Sequence, residues 1–333
     1  MAPQAPSRSR KLNTANGPVS SDALGRVLMH EHLVIGFGGW DGDTRCPAPT
    51  RREIIAECVD QVEELKAAGF GGLLDPCPND LGRDVDILGE VAAKTGFNIL
   101  FAVGLYNDHH GAPYWKLRFD NDRDATKYLT EMYVGEITDG VPGTGLKPAI
   151  IKVATSEAPF TPYERHVLNA TAAAAIETGV PITTHTQGVD GDEQLRILTE
   201  LGVPAHQIVI GHSCGSDDRA YHRRIVDGGA YIGFDRFGLT RLQPDEVRAD
   251  CLTHLVECGR RNHVVISHDC VFHSRGMVVP ERFAHLLKRS PLHFSREIEP
   301  LLRARGVTDE DLDVMLSENP RRYFEGAPIP ASA

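Results

Sequence analysis

The amino-acid sequence predicts an α/β fold in which eight parallel strands close into a (β/α)8 barrel, with extra helices at the C-terminus. Three observations support this prediction: eight near-continuous apolar runs of strand length, amphipathic stretches of helix length between them, and polar side chains that follow several runs. Apolar runs of this kind are typical of strands buried on both faces, and their alternation with helices indicates a parallel sheet. The predicted architecture is that of a TIM barrel, whose functional side chains gather at the carboxyl ends of the strands.

The predicted strands follow one another at residues 27–32, 71–77, 98–106, 149–155, 181–186, 208–213, 230–235 and 264–269. The predicted helices between them cover residues 51–68, 84–94, 124–139, 162–178, 192–201, 217–227 and 244–258. A closed barrel is favoured over an open doubly wound sheet, because no glycine-rich nucleotide-binding fingerprint follows any of the strands.

Local signals support individual helices. Thr161 is a predicted N-cap, Pro162 occupies the first helical position, Glu164 completes a capping box, and Gly179 follows the last turn. A C-terminal helix is predicted from about residue 308 to residue 318, ended by Asn319 and the proline after it. We expect one hydrolase barrel domain at residues 13–327, between flexible tails at 1–12 and 328–333.

Composition limits the classes of partner. The chain is 41% hydrophobic and 24% charged, as expected of a globular protein, and its net charge of -11 argues against a nucleic-acid or anionic-membrane partner. No apolar run reaches the ~18 residues that span a bilayer, and no signal-peptide core is present at the N-terminus. The seven cysteines lack paired or metal-finger spacing, so reduced thiols and a cytoplasmic location are expected.

Six side chains with metal-binding potential lie at or near the ends of apolar runs that are far apart in the sequence. They are His30, His32, Lys152, His185, His212 and Asp269. Since the carboxyl ends of barrel strands share one mouth, the six are expected to meet there. His30 and His32 are two residues apart on a predicted strand, so both face one metal while Glu31 faces the other side and has a structural role.

Lys152 is the unusual member of this set, because an ammonium group is not a metal ligand and its burial is costly. One interpretation is an ion pair with an acid inside the barrel. The other is that neutral Lys152 has added carbon dioxide, giving an N6-carboxylated lysine whose two oxygens bridge two divalent cations. His185 and His212 then bind the second cation and Asp269 completes the shell of the first. Taken singly, Asp269 is also consistent with a helix N-cap, and an isolated histidine such as His212 is more often a hydrogen-bonding core residue than a ligand.

Together, residues 24–33, 151–155, 181–186, 209–212, 266–269 and 318–322 resemble motifs of the phosphotriesterase family of the amidohydrolase superfamily, within a match that spans about residues 12–324. The resemblance implies a binuclear metal-dependent hydrolase in which a metal-bridging hydroxide attacks a carbonyl or phosphoryl centre. Asp269 is then expected to orient the nucleophile and take up its proton. Zinc is the expected metal at both positions, and manganese, cobalt or iron suit the same ligands. The resemblance also implies a homodimer.

Within that family, residues 232–239 are similar to a signature of the phosphotriesterase-like lactonases, and Tyr106 ends a segment similar to their third strand. The resemblance implies that Tyr106 positions the substrate and that Arg236 organises the pocket wall. The structural alternatives are ordinary packing for Tyr106 and, for Arg236, a salt bridge with Asp235 or another carboxylate of the mouth.

Two segments depart from the lactonase pattern. Residues 107–116 replace a hydrophobic stretch, and residues 270–275 replace an aromatic-rich loop; His109, His110 and His273 within them are predicted to be solvated loop histidines. The first functional hypothesis is a lactonase with promiscuous phosphotriesterase activity on a small neutral ester or lactone. The second is a hydrolase of amides, N-acyl amino acids or carboxyl esters on the same metal centre, and the third is a metal-free binding protein.

Overall fold

The computed structural model describes residues 9–46, 49–120, 124–276 and 290–331. Its strands are β1 (Lys11–Leu12), β2 (Val19–Ser20), β3 (Arg26–Leu28), β4 (Glu31–Gly36), β5 (Phe70–Asp75), β6 (Asn98–Leu105), β7 (Ile150–Ala154), β8 (Ile182–His185), β9 (Ile208–Ile210), β10 (Tyr231–Phe234), β11 (Val264–Ile266) and β12 (Cys270–Arg275). Eight of them form one parallel sheet in the order β11-β10-β9-β8-β7-β6-β5-β3. The backbone N–H of Met29 donates to Ile266 O at 3.1 Å, so the two edge strands meet and the predicted barrel is confirmed.

Helices cover the outside of this sheet. They are α1 (Arg51–Ala67), α2 (Val85–Thr95), α3 (Pro113–Asp120), α4 (Ala125–Thr138), α5 (Pro162–Thr178), α6 (Gly191–Glu200), α7 (Arg219–Asp227), α8 (Asp245–Glu257), α9 (Glu299–Arg303), α10 (Asp309–Asp313) and α11 (Asn319–Glu325). All seven predicted barrel helices are confirmed to within a few residues. The capping box of Thr161 and Glu164 forms as expected, and Gly179 ends the helix with a φ of 72°. Helix α3, in the segment after β6, was not predicted.

The C-terminal helix does not end at Asn319 as predicted. A π-helical turn (Val314–Glu318) joins α10 to α11, and Pro320 lies in the first turn of α11. The wide turn shifts the hydrogen-bond register ahead of a residue that has no N–H, so the helical path continues through the proline. The Asn319 side chain also donates to the carbonyls of Arg261 and Val264, at 2.8 Å each, and so attaches this helix to β11.

A second pair of parallel strands, β4 and β12, extends the barrel wall beyond the point where β3 and β11 meet. Strand β12 pairs with β4 from Cys270 opposite Glu31 to Arg275 opposite Gly36. The prediction of one continuous eighth strand at 264–269 and a loop at 270–275 is therefore wrong. The chain instead leaves β11 at Ile266, turns, and re-forms a strand at Cys270.

Alternation along the barrel strands divides the core into two layers. One cluster inside the barrel includes Val27, Leu100, Ile150, Val209 and Tyr231, and a larger cluster lies between the sheet and the helices. Side chains two residues apart on a strand share a face, so residues that follow the interior positions toward the carboxyl ends point into the mouth. This alternation positions the candidate site.

The ends of the chain are only partly covered. Residues 1–8 and 332–333, which belong to the predicted tails, lie outside the described residues. Lys11 and Leu12, also assigned to the first tail, instead form β1 and pair with Ser20 and Val19. All seven cysteines lie in the described ranges, and none of them forms a disulfide bond. Within the described ranges, no helix combines the length and the apolar character needed to cross a bilayer.

Candidate active site

The barrel strands deliver four of the predicted site residues to the mouth. Lys152 lies on β7 two residues after the interior Ile150, and His185 is the last residue of β8. His212 follows β9 and Asp269 follows β11, each with a left-handed backbone, at φ 59° and 55°. An aspartate at such an angle is uncommon. Since a strand follows Asp269 directly, the helix N-cap interpretation of this residue is wrong.

His30 and His32 reach the same mouth by a different route from the one predicted. The expectation of a single strand is wrong, because His30 lies in the bend between β3 and β4, and only His32 is on β4. The two rings nevertheless lie 5.3 Å apart. The prediction for Glu31 is confirmed: it is fully buried and accepts from Ser267 Oγ at 2.8 Å and from the backbone N–H of Cys270 at 3.0 Å.

The first ligand group consists of His30, His32 and Asp269. Their potential ligand atoms all lie within 4.8 Å of one another. The closest approach joins His32 Nε2 to Asp269 Oδ1 at 3.4 Å, and His30 Nε2 lies 3.9 Å from the same oxygen. These three side chains therefore converge on one point in the floor of the mouth.

The second ligand group consists of His185 and His212. Their rings lie 4.5 Å apart and nearly perpendicular, at 87°. The His212 ring is also 4.6 Å from that of His30, and Lys152 Nζ is 3.3 Å from His30 Nε2. The structure thus brings together all six residues that the sequence singled out.

Two buried aspartates hold the imidazoles in place, and this supporting role was not predicted from the sequence. Asp235 Oδ2 lies 3.1 Å from His30 Nδ1, and Asp235 Oδ1 lies 3.0 Å from His212 Nδ1. Asp75 Oδ1 lies 3.3 Å from His32 Nδ1. Because these Nδ1 atoms face carboxylates, the Nε2 atoms are left toward the centre. Both aspartates sit at the ends of strands, the one signal that could have identified them.

Burial determines the charge of most of these imidazoles. It lowers the pKa of His212 to about 3, helped by the nearby Arg236 guanidinium. It also lowers the pKa of His185 well below the ordinary value and, together with Lys152, lowers that of His30. These three rings are therefore neutral at pH 7, the form that binds a metal.

His32 behaves differently because it lies between two carboxylates. Burial disfavours its charged form, but hydrogen bonds with Asp269 and Asp75 outweigh burial and raise the pKa of His32 well above its usual value. The pKa of Asp269 is in turn held well below its usual range, because the effects of His212, His32 and Arg236 exceed that of burial. Asp269 is consequently ionised at neutral pH.

Lys152 is buried, with 1% of its surface exposed. Its Nζ lies near His30 Nε2 and 3.4 Å from the carbonyl of Thr184. Burial lowers the pKa of Lys152 to about 8, which leaves an appreciable neutral fraction at neutral pH. Among the described residues, no carboxylate lies within ion-pair distance of Lys152 Nζ. The interpretation of Lys152 as one half of an ion pair inside the barrel is therefore wrong.

Tyr106 and Arg236 both lie beside the cluster. Tyr106 Oη is 3.4 Å from His185 Nε2, and burial raises the pKa of the phenol, so the group is a neutral O–H at physiological pH. Arg236 Nε donates to Asp269 Oδ2 at 3.1 Å. The alternative of a salt bridge between Arg236 and Asp235 is therefore wrong, and the alternative of a salt bridge with another carboxylate of the mouth is confirmed, with Asp269 as the partner.

A cavity of about 1060 Å³ opens above these residues. Phe37, Leu239, Leu242 and Phe272 form apolar parts of its wall. His109 and His110 are exposed as predicted. The prediction for His273 is wrong: this residue lies on β12, is only 8% exposed, and its Nδ1 lies 2.9 Å from Glu57 Oε2.

The chemistry of the donor set fits divalent cations. Imidazole nitrogens and an ionised carboxylate face one another at the floor of a cavity, and carboxylates behind the rings of His30, His32 and His212 orient them. His30, His32 and Asp269 would hold one cation, and His185 and His212 a second. A carboxylated Lys152 would supply oxygen ligands, which both cations accept.

A parallel α/β barrel with such a cluster at the carboxyl ends of its strands defines the class of metal-dependent hydrolases. The profile of the phosphotriesterase family, whose members depend on a binuclear metal centre, matches residues 10–324, and the chain belongs to this family.

Relatives of known sequence and structure agree with this membership. A phosphotriesterase homology protein from Mycobacterium tuberculosis is 36% identical, over 95% of this chain and 98% of its own. An aryldialkylphosphatase from Saccharolobus solfataricus is 31% identical, over 92% and 96%. The crystal structure of a mutant phosphotriesterase-like lactonase from Deinococcus radiodurans superposes with a TM-score of 0.89 at 38% identity, covering 94% of this chain and 99% of that one.

Proposed function

We propose that this protein is a lactonase with promiscuous phosphotriesterase activity, and that its centre contains two divalent cations, zinc in the first instance, with carboxylated Lys152 between them. The observation that carries the proposal is the position of Arg236 and Tyr106. Both lie against ligands of the cluster, at the foot of a cavity with apolar walls. The similarity to a phosphotriesterase-like lactonase and to an aryldialkylphosphatase supports the choice of substrates.

Bound cations would supply Lewis acidity and would lower the pKa of water toward ~7. The protein's own residues would do the rest. Asp269, held ionised, would accept a proton, and Arg236 would fix the orientation of that carboxylate. The phenolic O–H of Tyr106 would donate a hydrogen bond to the substrate oxygen on which negative charge develops. The apolar wall would hold the remainder of the lactone and exclude water.

The proposed role of Lys152 is tested by Lys152→Ala. We expect this variant to lose most of its metal and most of its activity, because the bridging oxygens disappear with the side chain. Added short carboxylates are expected to restore part of both, since they supply equivalent oxygen ligands. Metal content is measured by elemental analysis, and an unchanged metal stoichiometry in Lys152→Ala would refute the bridge.

The decisive experiment is a hydrolysis screen of the metal-replete protein before and after chelation. The panel contains γ- and δ-lactones, acyl-homoserine lactones, phosphotriesters and N-acyl amino acids. We expect chelator-sensitive turnover of lactones well above that of phosphotriesters. Phosphotriesters turned over faster than every lactone would contradict the proposal, as would turnover that chelation leaves unchanged.

A second candidate is the hydrolysis of N-acyl amino acids. Two exposed arginines, Arg241 and Arg296, line the cavity, and a guanidinium binds a carboxylate in a paired geometry. A substrate that carries a carboxylate would therefore find a cation within the cavity. This candidate predicts that Arg241→Ala raises the KM for N-acyl amino acids and leaves that for uncharged lactones unchanged.

A further inference from the structure

Asp235 contacts one histidine from each ligand group. It lies directly after β10 and is 1% exposed. Its Oδ2 is 3.1 Å from His30 Nδ1, and its Oδ1 is 3.0 Å from His212 Nδ1. The backbone N–H of His212 also donates to Oδ1, at 2.9 Å. The same N–H also lies 3.2 Å from Oδ2. Each carboxylate oxygen nevertheless faces the imidazole of a different ligand group, Oδ2 that of His30 and Oδ1 that of His212.

Two glycines leave the space that this carboxylate occupies. A Cβ added to Gly233 on β10 would lie 2.7 Å from Asp235 Oδ2, and one added to Gly211 would lie 3.3 Å from the same atom. The first distance is shorter than any ordinary carbon–oxygen contact, so only glycine is compatible with the observed position. The placement of the carboxylate is thus built into two neighbouring strands and does not depend on Asp235 alone.

A buried carboxylate with an imidazole Nδ1 opposite each oxygen favours a proton on both Nδ1 atoms, which leaves both Nε2 lone pairs available for a metal. We propose that Asp235 is a positioning residue that sets the tautomer of both His30 and His212. One carboxylate would thereby leave an Nε2 lone pair available for a metal in each of the two ligand groups. This inference rests on the proposed two-cation centre.

The asymmetry of the Asp235 contacts makes the proposal specific. In Asp235→Asn, the amide oxygen is expected to remain at the Oδ1 position, because the His212 ring faces that site and the His212 backbone N–H makes its shorter contact there, 2.9 Å against 3.2 Å to Oδ2. The amide NH2 then faces His30 Nδ1. To accept from it, His30 must carry its proton on Nε2, and this tautomer cannot bind a metal through Nε2. The substitution should therefore disable the first ligand group and spare the second.

The first experiment measures metal binding directly. Wild type, Asp235→Asn and Asp245→Asn are stripped of metal and titrated with zinc, and the bound metal is counted. The wild type is expected to bind two zinc ions. In Asp235→Asn the zinc affinity of one position should fall by about 10- to 100-fold, the range typical when the residue supporting a ligand is lost. The zinc affinity of the other position should be unchanged. Asp245 is a matched control, because it is a buried carboxylate that contacts His293, which is not a proposed ligand, at 2.8 Å. The Asp245→Asn variant should bind two zinc ions.

Two zinc ions bound by Asp235→Asn with wild-type affinity would overturn the proposal, as would equal weakening of both positions in a folded variant. The second experiment needs no Asp235 variant. Histidine side-chain ¹⁵N NMR of the metal-free wild type reports the tautomer of each ring, assigned with His30→Gln and His212→Gln. Both rings are expected to carry the proton on Nδ1, and a proton on Nε2 of either ring would overturn the inference. If the wild type bound no zinc at all, the proposed function would fail, while the NMR result would still decide the role of Asp235.

Discussion

Asp269 is the residue at which the contacts of the candidate site converge. Its carboxylate lies 3.4 Å from His32 Nε2 and accepts from Arg236 Nε at 3.1 Å, and the left-handed backbone at this residue aims the side chain into the mouth. The role proposed for Arg236 is therefore exerted through Asp269, by orienting the group that is proposed to accept the proton.

Replacing Arg236 should slow lactone hydrolysis without removing the metal. A hydrogen bond between charged groups contributes about 1.5–3 kcal/mol, so Arg236→Ala is expected to lower kcat/KM by roughly 10- to 100-fold. Steady-state kinetics on one lactone, together with metal analysis, provide the measurement. Arg241→Ala is the control, because it removes a cationic side chain that lines the cavity and makes no contact with Asp269 among the described residues. Its kcat/KM for the same lactone should stay within about twofold of wild type. Full activity in Arg236→Ala would show the assignment to be wrong.

Asp80 holds the segment that carries Tyr106. One of its carboxylate oxygens accepts from the Tyr106 backbone N–H at 2.8 Å, and the other accepts from that of Ala112 at 3.4 Å. Burial raises the pKa of this carboxyl from 3.8 to about 6, although the backbone hydrogen bonds act in the opposite direction. Between these two values the folded protein binds more protons than the unfolded chain at this position.

This difference in pKa predicts how Asp80 affects stability. As the pH rises from about 4 to 7, the Asp80 contribution to the free energy of unfolding should fall by roughly 2 kcal/mol, most of the full effect of the shift at about 1.4 kcal/mol per pKa unit. Other carboxylates have the opposite effect, so the comparison is with Asp80→Asn, which cannot titrate. Urea unfolding of both proteins across this pH range tests it, and a wild-type-minus-variant difference that stays constant with pH would contradict the prediction.

At the scale of elements, the approach of β6 to β7 controls the position of Lys152. Gly104 on β6 has a φ of 150°, and a Cβ there would collide with the backbone carbonyl of Lys152 on the neighbouring strand. The two residues are paired in the sheet. A side chain at position 104 would therefore push away the strand that carries the proposed bridging ligand.

Gly104→Ala is expected to destabilise the protein by about 1–3 kcal/mol, the usual effect of overpacking a core, and to weaken metal binding. Gly135→Ala is the control, because Gly135 lies in α4 and a Cβ there would meet no atom within 4 Å. Alanine favours a helix over glycine by about 1 kcal/mol, so this variant should be slightly more stable than wild type. Equal stabilities of the two variants in urea unfolding would refute the steric argument.

Elements built from local patterns could be predicted from the sequence, whereas those built from distant contacts could not. The barrel strands were found because they are continuous apolar runs, and the capping box at Thr161 determines the start of α5. Strand β12 was missed because its pairing partner, β4, precedes it by most of the chain. Asp235 and Asp75 were missed for the same reason, since their contacts with His30, His212 and His32 depend on how the strands are arranged around the barrel.

At the scale of the whole molecule, the six clustered side chains come from strands distributed around the barrel. Ligands on β4 and β7 and beyond the ends of β9 and β11 would tie together parts of the sheet that are not direct neighbours. A metal that binds only the folded chain stabilises it by mass action, by about 4 kcal/mol when the free metal is 1,000 times its Kd.

Removal of metal should therefore lower the Tm by about 10 °C, the size expected from that free energy in a large domain. Calorimetry of the zinc-loaded protein with and without a chelator measures the change. The double variant His185→Asn and His212→Asn, which lacks the second ligand group, should show a clearly smaller shift. A Tm of the wild type that does not respond to chelation would argue against a structural contribution from metal.

The closure of the barrel also determines when the active site can exist during synthesis. The backbone N–H of His30 donates to Ser267 Oγ, and Glu31 accepts from the backbone N–H of His268, across 237 residues of sequence in each case. A ribosome-bound chain exposes His30 and His32 early, but Asp269 and its supports emerge only when about four-fifths of the protein has been made. The proposed metal centre can therefore be completed only late in synthesis. A polypeptide released before that point would carry most of the proposed ligands but would lack Asp269, and we expect it to be inactive.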